Sequence, residues 1–172
     1  NITSSNDLGL QMAMKYSANN ALLSNNGVST TLDNDGNMTS VVINGNKFNF
    51  TYDSQNHLVK ANDDVYKYDA EDYRIQANET KYAYDRQNKN LLIKYDADGT
   101  IEKFVYGVGL ISSERPNEDI GIYHYDLRGS VTAITNKEGA VTDRYSYSTY
   151  GKQSHDEGER VEIFGYNGRD GV

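Results

Sequence analysis

The sequence predicts an all-β chain, an antiparallel meander of repeated β-hairpins, and three observations predict it. Its aromatic content rests on 15 tyrosines, with 4 phenylalanines and no tryptophan. Tyrosine buries a large ring while keeping a polar tip, and it is favoured on half-buried pleated sheets. Tyr-Asp pairs recur along the chain with turn-forming residues at a fixed offset. Between the pairs, apolar and polar residues alternate at the two-residue period of a strand.

The pairs stand at Tyr52-Asp53, Tyr68-Asp69, Tyr84-Asp85, Tyr95-Asp96 and Tyr125-Asp126, with degenerate copies at Tyr16-Ser17, Leu32-Asp33 and Tyr147-Ser148. Counting each unit from its first residue, the fifth place is Asn20, Gly36, Asn56, Asn88, Gly99 and Gly129. The seventh is Leu22, Met38, Leu58, Ile101 and Val131. Two copies are expected to slip, with Ile75 and Leu91 a place late, and Thr135 to Val141 repeats the form with Gly139 at its turn. An Asp at the second place can accept hydrogen bonds from backbone N–H groups two residues on, and Asn or Gly at the fifth adopts positive φ at little cost. Each unit is therefore read as a strand, a reversing turn and a returning strand.

The segments 47–52, 65–68, 81–84 and 121–125 alternate as strands should. Asp7 to Tyr16 also alternates at period two, so it is read as strand, and no helix is expected. Glu114 to Asp119, around the single proline Pro116, is predicted as a loop, as is the charge-rich run Gln153 to Arg160. A strand is predicted at Val161-Glu162-Ile163-Phe164.

Composition removes several classes of function. A formal net charge of -8 argues against a nucleic-acid partner, which needs basic patches to displace counterions. No apolar run is long enough for a membrane-spanning helix, and no charged-then-apolar leader is expected before Asn1. The chain begins without Met and is expected to be a piece of a longer one. Absence of cysteine excludes disulfides and thiolate metal sites.

No residue pattern asks for catalysis, a cofactor or a metal. Asp33, Asp35 and Asn37, and again Asp96 and Asp98, have the spacing of calcium ligands, but neither run is followed by the bidentate Glu of a calcium loop. They are read as turn residues. His57, His124 and His155 have no zinc-site spacing. The pairs Glu71-Asp72 and Glu118-Asp119 are read as solvated loop charge. Acceptor sequons at Asn1, Asn37 and Asn78 matter only in a host that glycosylates them.

The ordered series of Tyr-Asp units is followed by Tyr106-Gly107-Val108-Gly109-Leu110-Ile111. Then come Tyr123-His124-Tyr125-Asp126-Leu127-Arg128-Gly129-Ser130-Val131, Tyr150-Gly151 and Gly165-Tyr166-Asn167-Gly168-Arg169-Asp170. This series resembles the Rhs repeat-associated core of YD-repeat proteins over essentially residues 1–172. The likeness divides the chain into YD repeats over 1–113 and the start of the core over 120–172, truncated before the family's self-cleavage region. The repeat-defining residues are Tyr52, Asp53, Tyr68, Asp69, Tyr84, Asp85, Tyr95, Asp96, Gly99, Tyr125, Asp126, Arg128, Gly129, Gly151, Gly168 and Arg169.

The resemblance implies a non-enzymatic segment of a curved, spiralling β-shell that encapsulates a C-terminal effector or toxin. It also implies a chain secreted by, or displayed on, a bacterium, whose partners are the rest of its own shell and that effector. None of the aspartates present is assigned to self-cleavage. The alternative is a carbohydrate-binding or adhesion module in which a ladder of Tyr66, Tyr82, Tyr84 and Tyr95 stacks on cell-surface glycans. Rings that instead pack across strands would stabilise the sheet by about 0.2–1 kcal/mol per pair. Unpaired edge strands lead to the further expectation that the isolated piece associates edge to edge.

Overall fold

The computed structural model describes residues 4–7, 10–18, 20–43, 45–116, 118, 120–149, 151–158 and 163–170. The protein is all-β, and among these residues the one helical turn is the 3-10 segment Gly168–Asp170. No helix is long and apolar enough to cross a membrane. The chain divides into two compact units, Asn1–Asn78 and Glu79–Val172.

In the first unit β1 (Ser4–Asp7), β2 (Leu10–Tyr16), β3 (Leu22–Asn25) and β4 (Val28–Ser29) form a four-stranded sheet in that order. After them come β5 (Thr31–Leu32), β6 (Met38–Ile43), β7 (Asn46–Tyr52), β8 (Leu58–Ala61), β9 (Asp64–Tyr68) and β10 (Arg74–Ala77). The second unit carries β11 (Thr80–Asp85), β12 (Asn90–Tyr95), β13 (Ile101–Tyr106), β14 (Leu110–Glu114), β15 (Gly121–Tyr125), β16 (Val131–Thr135), β17 (Val141–Tyr147) and β18 (Gln153–Glu157). Strands β5 to β10 of the first unit and β11 to β18 of the second each pair antiparallel with their neighbours in chain order.

Two turn chemistries build the meander. In the Tyr-Asp turn at Asp53, the Asn56 N–H donates to the Asp53 carbonyl (3.1 Å), and the Asp53 N–H donates to the His57 carbonyl (3.0 Å). Asn56 takes φ 65°. This is a three-residue hairpin loop, a type I turn closed by a left-handed residue. The strands then slip by one: Tyr52 pairs with Leu58 but Thr51 with Lys60, leaving Val59 as a bulge. The same slip follows Tyr16, Leu32, Tyr68, Tyr84, Tyr125 and Thr135.

The second turn is a tight reversal whose first residue is a left-handed Asn, as at Asn26, Asn62 and Asn78 (φ 50°, 52° and 51°). Each of these side chains accepts from a backbone N–H 13 residues upstream, at Ala13 (2.7 Å), Asn49 (2.9 Å) and Val65 (2.9 Å). The same Asn N–H returns a bond to the carbonyl of that residue. Asn-Gly, Asn-Asp and Asn-Glu at these positions are the sequence signal for this clamp.

The two units bury very different amounts of apolar surface. In the first, alternate residues of β7 split cleanly: Phe48, Phe50 and Tyr52 are half-buried, while Lys47, Asn49 and Thr51 are exposed. Tyr66 and Tyr68 against Val65 and Lys67 do the same on β9, yet Val41 is the one hydrophobic residue fully buried there among the described residues. The second unit has a continuous core of Leu91, Phe104, Leu110, Tyr123, Val131, Ile134, Tyr145 and Phe164, flanked by Tyr82, Tyr84, Tyr106, Tyr125 and Tyr147.

Four local expectations are corrected. Gln153–Glu157 is a strand, not loop. Tyr147-Ser148 begins a complete turn with Gly151 at its fifth place (φ 82°), so Gln153 is the seventh place and pairs back with Tyr147. Its polar composition is that of a strand at the end of the sheet order, where charge discourages further pairing. The predicted strand at 161–164 is not one where it is described: Ile163 and Phe164 lie outside strands, and Val161 and Glu162 fall outside the described residues. The left-handed residue of the Tyr84 turn is Lys89 (φ 61°), not Asn88, because this loop holds one more residue. The Tyr68 loop holds no extra residue: Asp72 is left-handed (φ 67°) at its fifth place, and β10 starts on schedule at Arg74, with Ile75 as the bulge.

Candidate functional site

The repeated turn is the unit from which any function must be built, and its aspartate holds it together. One carboxylate oxygen of Asp53 accepts from the N–H groups of Gln55 and His57, both at 2.9 Å. Asp33 does so with Asp35 (3.0 Å) and Asn37 (2.8 Å), Asp69 with Glu71 (2.9 Å) and Tyr73 (3.1 Å), and Asp126 with Arg128 (2.8 Å) and Ser130 (2.9 Å). Asp85 accepts from Gln87 (2.9 Å). Donors converging on the charged form hold the carboxyls of Asp33, Asp53, Asp85 and Asp126 below the usual range. The leading cause is the backbone N–H of His57 at Asp53 and of Ser130 at Asp126, and the side chain of Asn37 at Asp33 and of Asn88 at Asp85.

Tyr95-Asp96 is the exception. Asp96 turns away to the Thr80 hydroxyl (3.1 Å) and the Lys94 ammonium (2.7 Å). Asp98 serves the turn instead, accepting from the Thr100 N–H at 2.8 Å, and here the hairpin pairs without a slip. Gly99 still supplies the left-handed residue (φ 86°).

The tyrosine of the pair joins one turn to the previous one on the same sheet margin. Tyr68 donates its hydroxyl to the carbonyl of Leu58 (3.1 Å), Tyr125 to that of Leu110 (2.5 Å), and Tyr147 to that of Val131 (2.8 Å). Each acceptor opens a returning strand immediately before a bulge. A bulge leaves the ladder locally unpaired, and a buried carbonyl without a donor is costly. The repeat therefore needs tyrosine rather than phenylalanine at these three positions.

Residues at the sixth place link turns as well. Asn37 donates to Asp33 of its own turn (3.0 Å) and to Asn56 of the next (2.7 Å). His57 repeats this geometry, with Nδ1 3.0 Å from Asp53 and Nε2 3.1 Å from Asp72. The His57 ring stacks on Tyr68, with centroids 4.5 Å apart.

In the second unit the segment from Phe164 to Arg169 forms a strap over the core. Phe164 meets Phe104 edge to face at 5.2 Å, the Val131 N–H donates to the Gly165 carbonyl (3.1 Å), and the Arg169 N–H donates to the Gly129 carbonyl (2.9 Å). Asn167 donates to the hydroxyl of Ser130 (3.3 Å). Glycines clear its path. A Cβ on Gly109 would lie 2.8 Å from Arg169 Cγ, and one on Gly151 would lie 3.1 Å from the Tyr166 ring. A Cβ on Gly168 would lie 3.0 Å from Phe164 Cβ. Gly109, Gly129 and Gly151 thus each leave room for one packed segment.

Beside this core lies a buried ion cluster that the sequence did not reveal. The Glu102 side chain is 2% exposed, with Arg115 at 3.0 Å and Lys94 at 3.8 Å from Oε2. Its Oε1 has no hydrogen-bond partner among the described residues.

The aromatic ladder of the adhesion reading is interrupted. Tyr82 and Tyr84 pack against the core, whereas Tyr95 pairs with Lys81 and Ile101 and is 39% exposed on the opposite face. Tyr66 is half-buried with Arg74 over its ring at 5.5 Å. Among the remaining repeat residues, Tyr52 is half-buried on β7 and Arg128 contributes its backbone N–H to the turn. Tyr150 lies outside the described residues.

No protein-family profile matches the chain, and no curated protein matches it. Among solved structures it is similar to a chain in the crystal structure of TcdB2-TccC3-TEV, with TM-score 0.46 and 13% identity over 85% of this chain and 10% of that one. It is also similar to a chain in TcdB2-TccC3, with TM-score 0.41 and 15% identity over 81% of this chain and 9% of that one. This chain therefore spans about a tenth of the length of either structure.

Proposed function

We propose that the chain is a non-catalytic wall segment of a YD-repeat shell that encloses a C-terminal effector within a secreted or surface-displayed bacterial protein. The observation that carries this reading is the two-faced first unit. Its strands present a row of half-buried aromatic residues on one face and exposed polar residues on the other, with almost no core of their own. A sheet stabilised by burial needs something against its apolar face, and an enclosed polypeptide or the far side of the same shell meets that need. The turns add to the support. Asp-capped loops and tyrosine hydroxyls tie hairpin to hairpin along the sheet margin, which is what an extended wall requires and what a compact catalytic pocket does not.

Protease protection tests this in the parent chain, expressed through its native C-terminal continuation. The downstream segment should survive digestion while the β-region is folded and be lost once denaturant opens it. Immediate digestion under native conditions would reject the container.

A further inference from the structure

We propose that His57 is a pH-sensitive clip between successive turns, closed when its ring carries both protons and open when one is lost. The geometry is specific. Nδ1 faces the carboxylate of Asp53 in its own turn at 3.0 Å, and Nε2 faces that of Asp72 in the next turn at 3.1 Å. Tyr68 of β9 stacks against the ring face at 4.5 Å, with planes 12° apart. These are the titratable groups that face the imidazole. Two carboxylates accept and cannot donate, so both bonds exist only when both ring nitrogens bear hydrogen.

A neutral ring must turn a lone pair toward one carboxylate. The Asp53 turn is local and further secured by two backbone bonds to its carboxylate. Asp72 is 69% exposed in its side chain and is free to swing into water, so the link between turns is the one that opens. The preceding turn provides a built-in comparison. Asn37 makes the same two contacts, to Asp33 and Asn56, through an amide whose two hydrogens do not titrate. Burial opposes the ring's charge, but the Asp53 hydrogen bond and the attraction of both carboxylates raise its affinity for the proton above that of an ordinary histidine. The inference concerns this sheet margin alone and does not depend on the shell.

The test is NMR on the 172-residue chain between pH 5 and 9. Ring 15N shifts of His57 are followed together with amide exchange at Asp53, Asn56, Asp69 and Asp72, corrected for base catalysis. The same ring in the chain unfolded by urea, where neither carboxylate faces it, is the internal reference. The His57 midpoint should lie above that unfolded value. Corrected exchange at Asp69 and Asp72 should rise roughly two- to fivefold through it, the size of an exposed ion-pair loss. Asp72→Asn should lower the midpoint, and His57→Asn should abolish the pH dependence. A His57 midpoint at or below its value in the unfolded chain, or exchange unchanged across the midpoint, would overturn the clip, and both readouts come from the unmodified chain.

Discussion

Replacing Arg115 by Met separates a buried ion pair that serves packing from one that is merely present. The Glu102 side chain is 2% exposed and Arg115 is 16% exposed, joined at 3.0 Å. Glu102 Oε1 already lacks a hydrogen-bond partner among the described residues, so losing Arg115 leaves the carboxylate with Lys94 at 3.8 Å, which is itself engaged by Asp96 at 2.7 Å. Removing one member of a buried pair costs about 3–5 kcal/mol. The residual Lys94 contact places the loss near the lower end, about 3 kcal/mol, or roughly 6–12 °C in Tm for a chain of this size. The double change Glu102→Leu with Arg115→Met should recover most of that, since replacing a whole buried pair with apolar groups is often neutral. Urea unfolding followed by tyrosine fluorescence measures both, because tryptophan is absent. A single variant within about 1 kcal/mol of the parent, or a double variant no better than the single, would refute the assignment.

Other perturbations probe the turns and the strap. Gly139→Ala meets no atom within 4 Å but must hold φ 83°, a strain of about 1–2 kcal/mol. Gly129→Ala adds a Cβ 3.3 Å from Arg169 and should lower the urea midpoint further while raising proteolysis near the strap. Phe164→Ala should cost about 3–5 kcal/mol by emptying the site against Phe104, with dye binding to the exposed core as an independent readout. On acidification the chain should lose stability as Asp33, Asp53, Asp85, Asp98 and Asp126 protonate, because each carboxyl is held below its ordinary value of 3.8. Their contribution is complete above that value and disappears as pH falls through the depressed folded-state values. His57 has the opposite sign. Its raised folded value makes its contribution complete below 6.5 and lost as pH rises through the folded value. Circular dichroism melts across pH 2–9 should therefore show losses at both ends, with His57→Asn removing the alkaline one.

The meander and most of its turns were legible in the sequence because each turn depends on two local residues. Asp supplies acceptors within its own loop, and Asn or Gly supplies a left-handed backbone. The positions Asp53, Asn56 and Leu58 could therefore be assigned without any tertiary contact. The count also pointed to β18, since the sixth residue after Tyr147 is Gln153, but its charge obscured the strand. What stayed hidden depends on residues distant in sequence: the Tyr147 hydroxyl on Val131, the clearance that Gly109 gives Arg169, and the Glu102 pair with Arg115. The tight turns at Asn62 and Asn78 were not read from the sequence, and nothing local indicates that their side chains reach 13 residues back.

Strand order that follows chain order has a consequence for timing. During synthesis each new hairpin within a unit finds its partner already made immediately upstream, so pairing can proceed as the chain emerges, with few long loops to close. The strap breaks that rule. Phe164 covers Phe104, some sixty residues earlier, and so β13 has its strand partners long before its core face is sealed. A nascent chain passes through an interval in which Phe104 is already held in the sheet but still uncovered by Phe164.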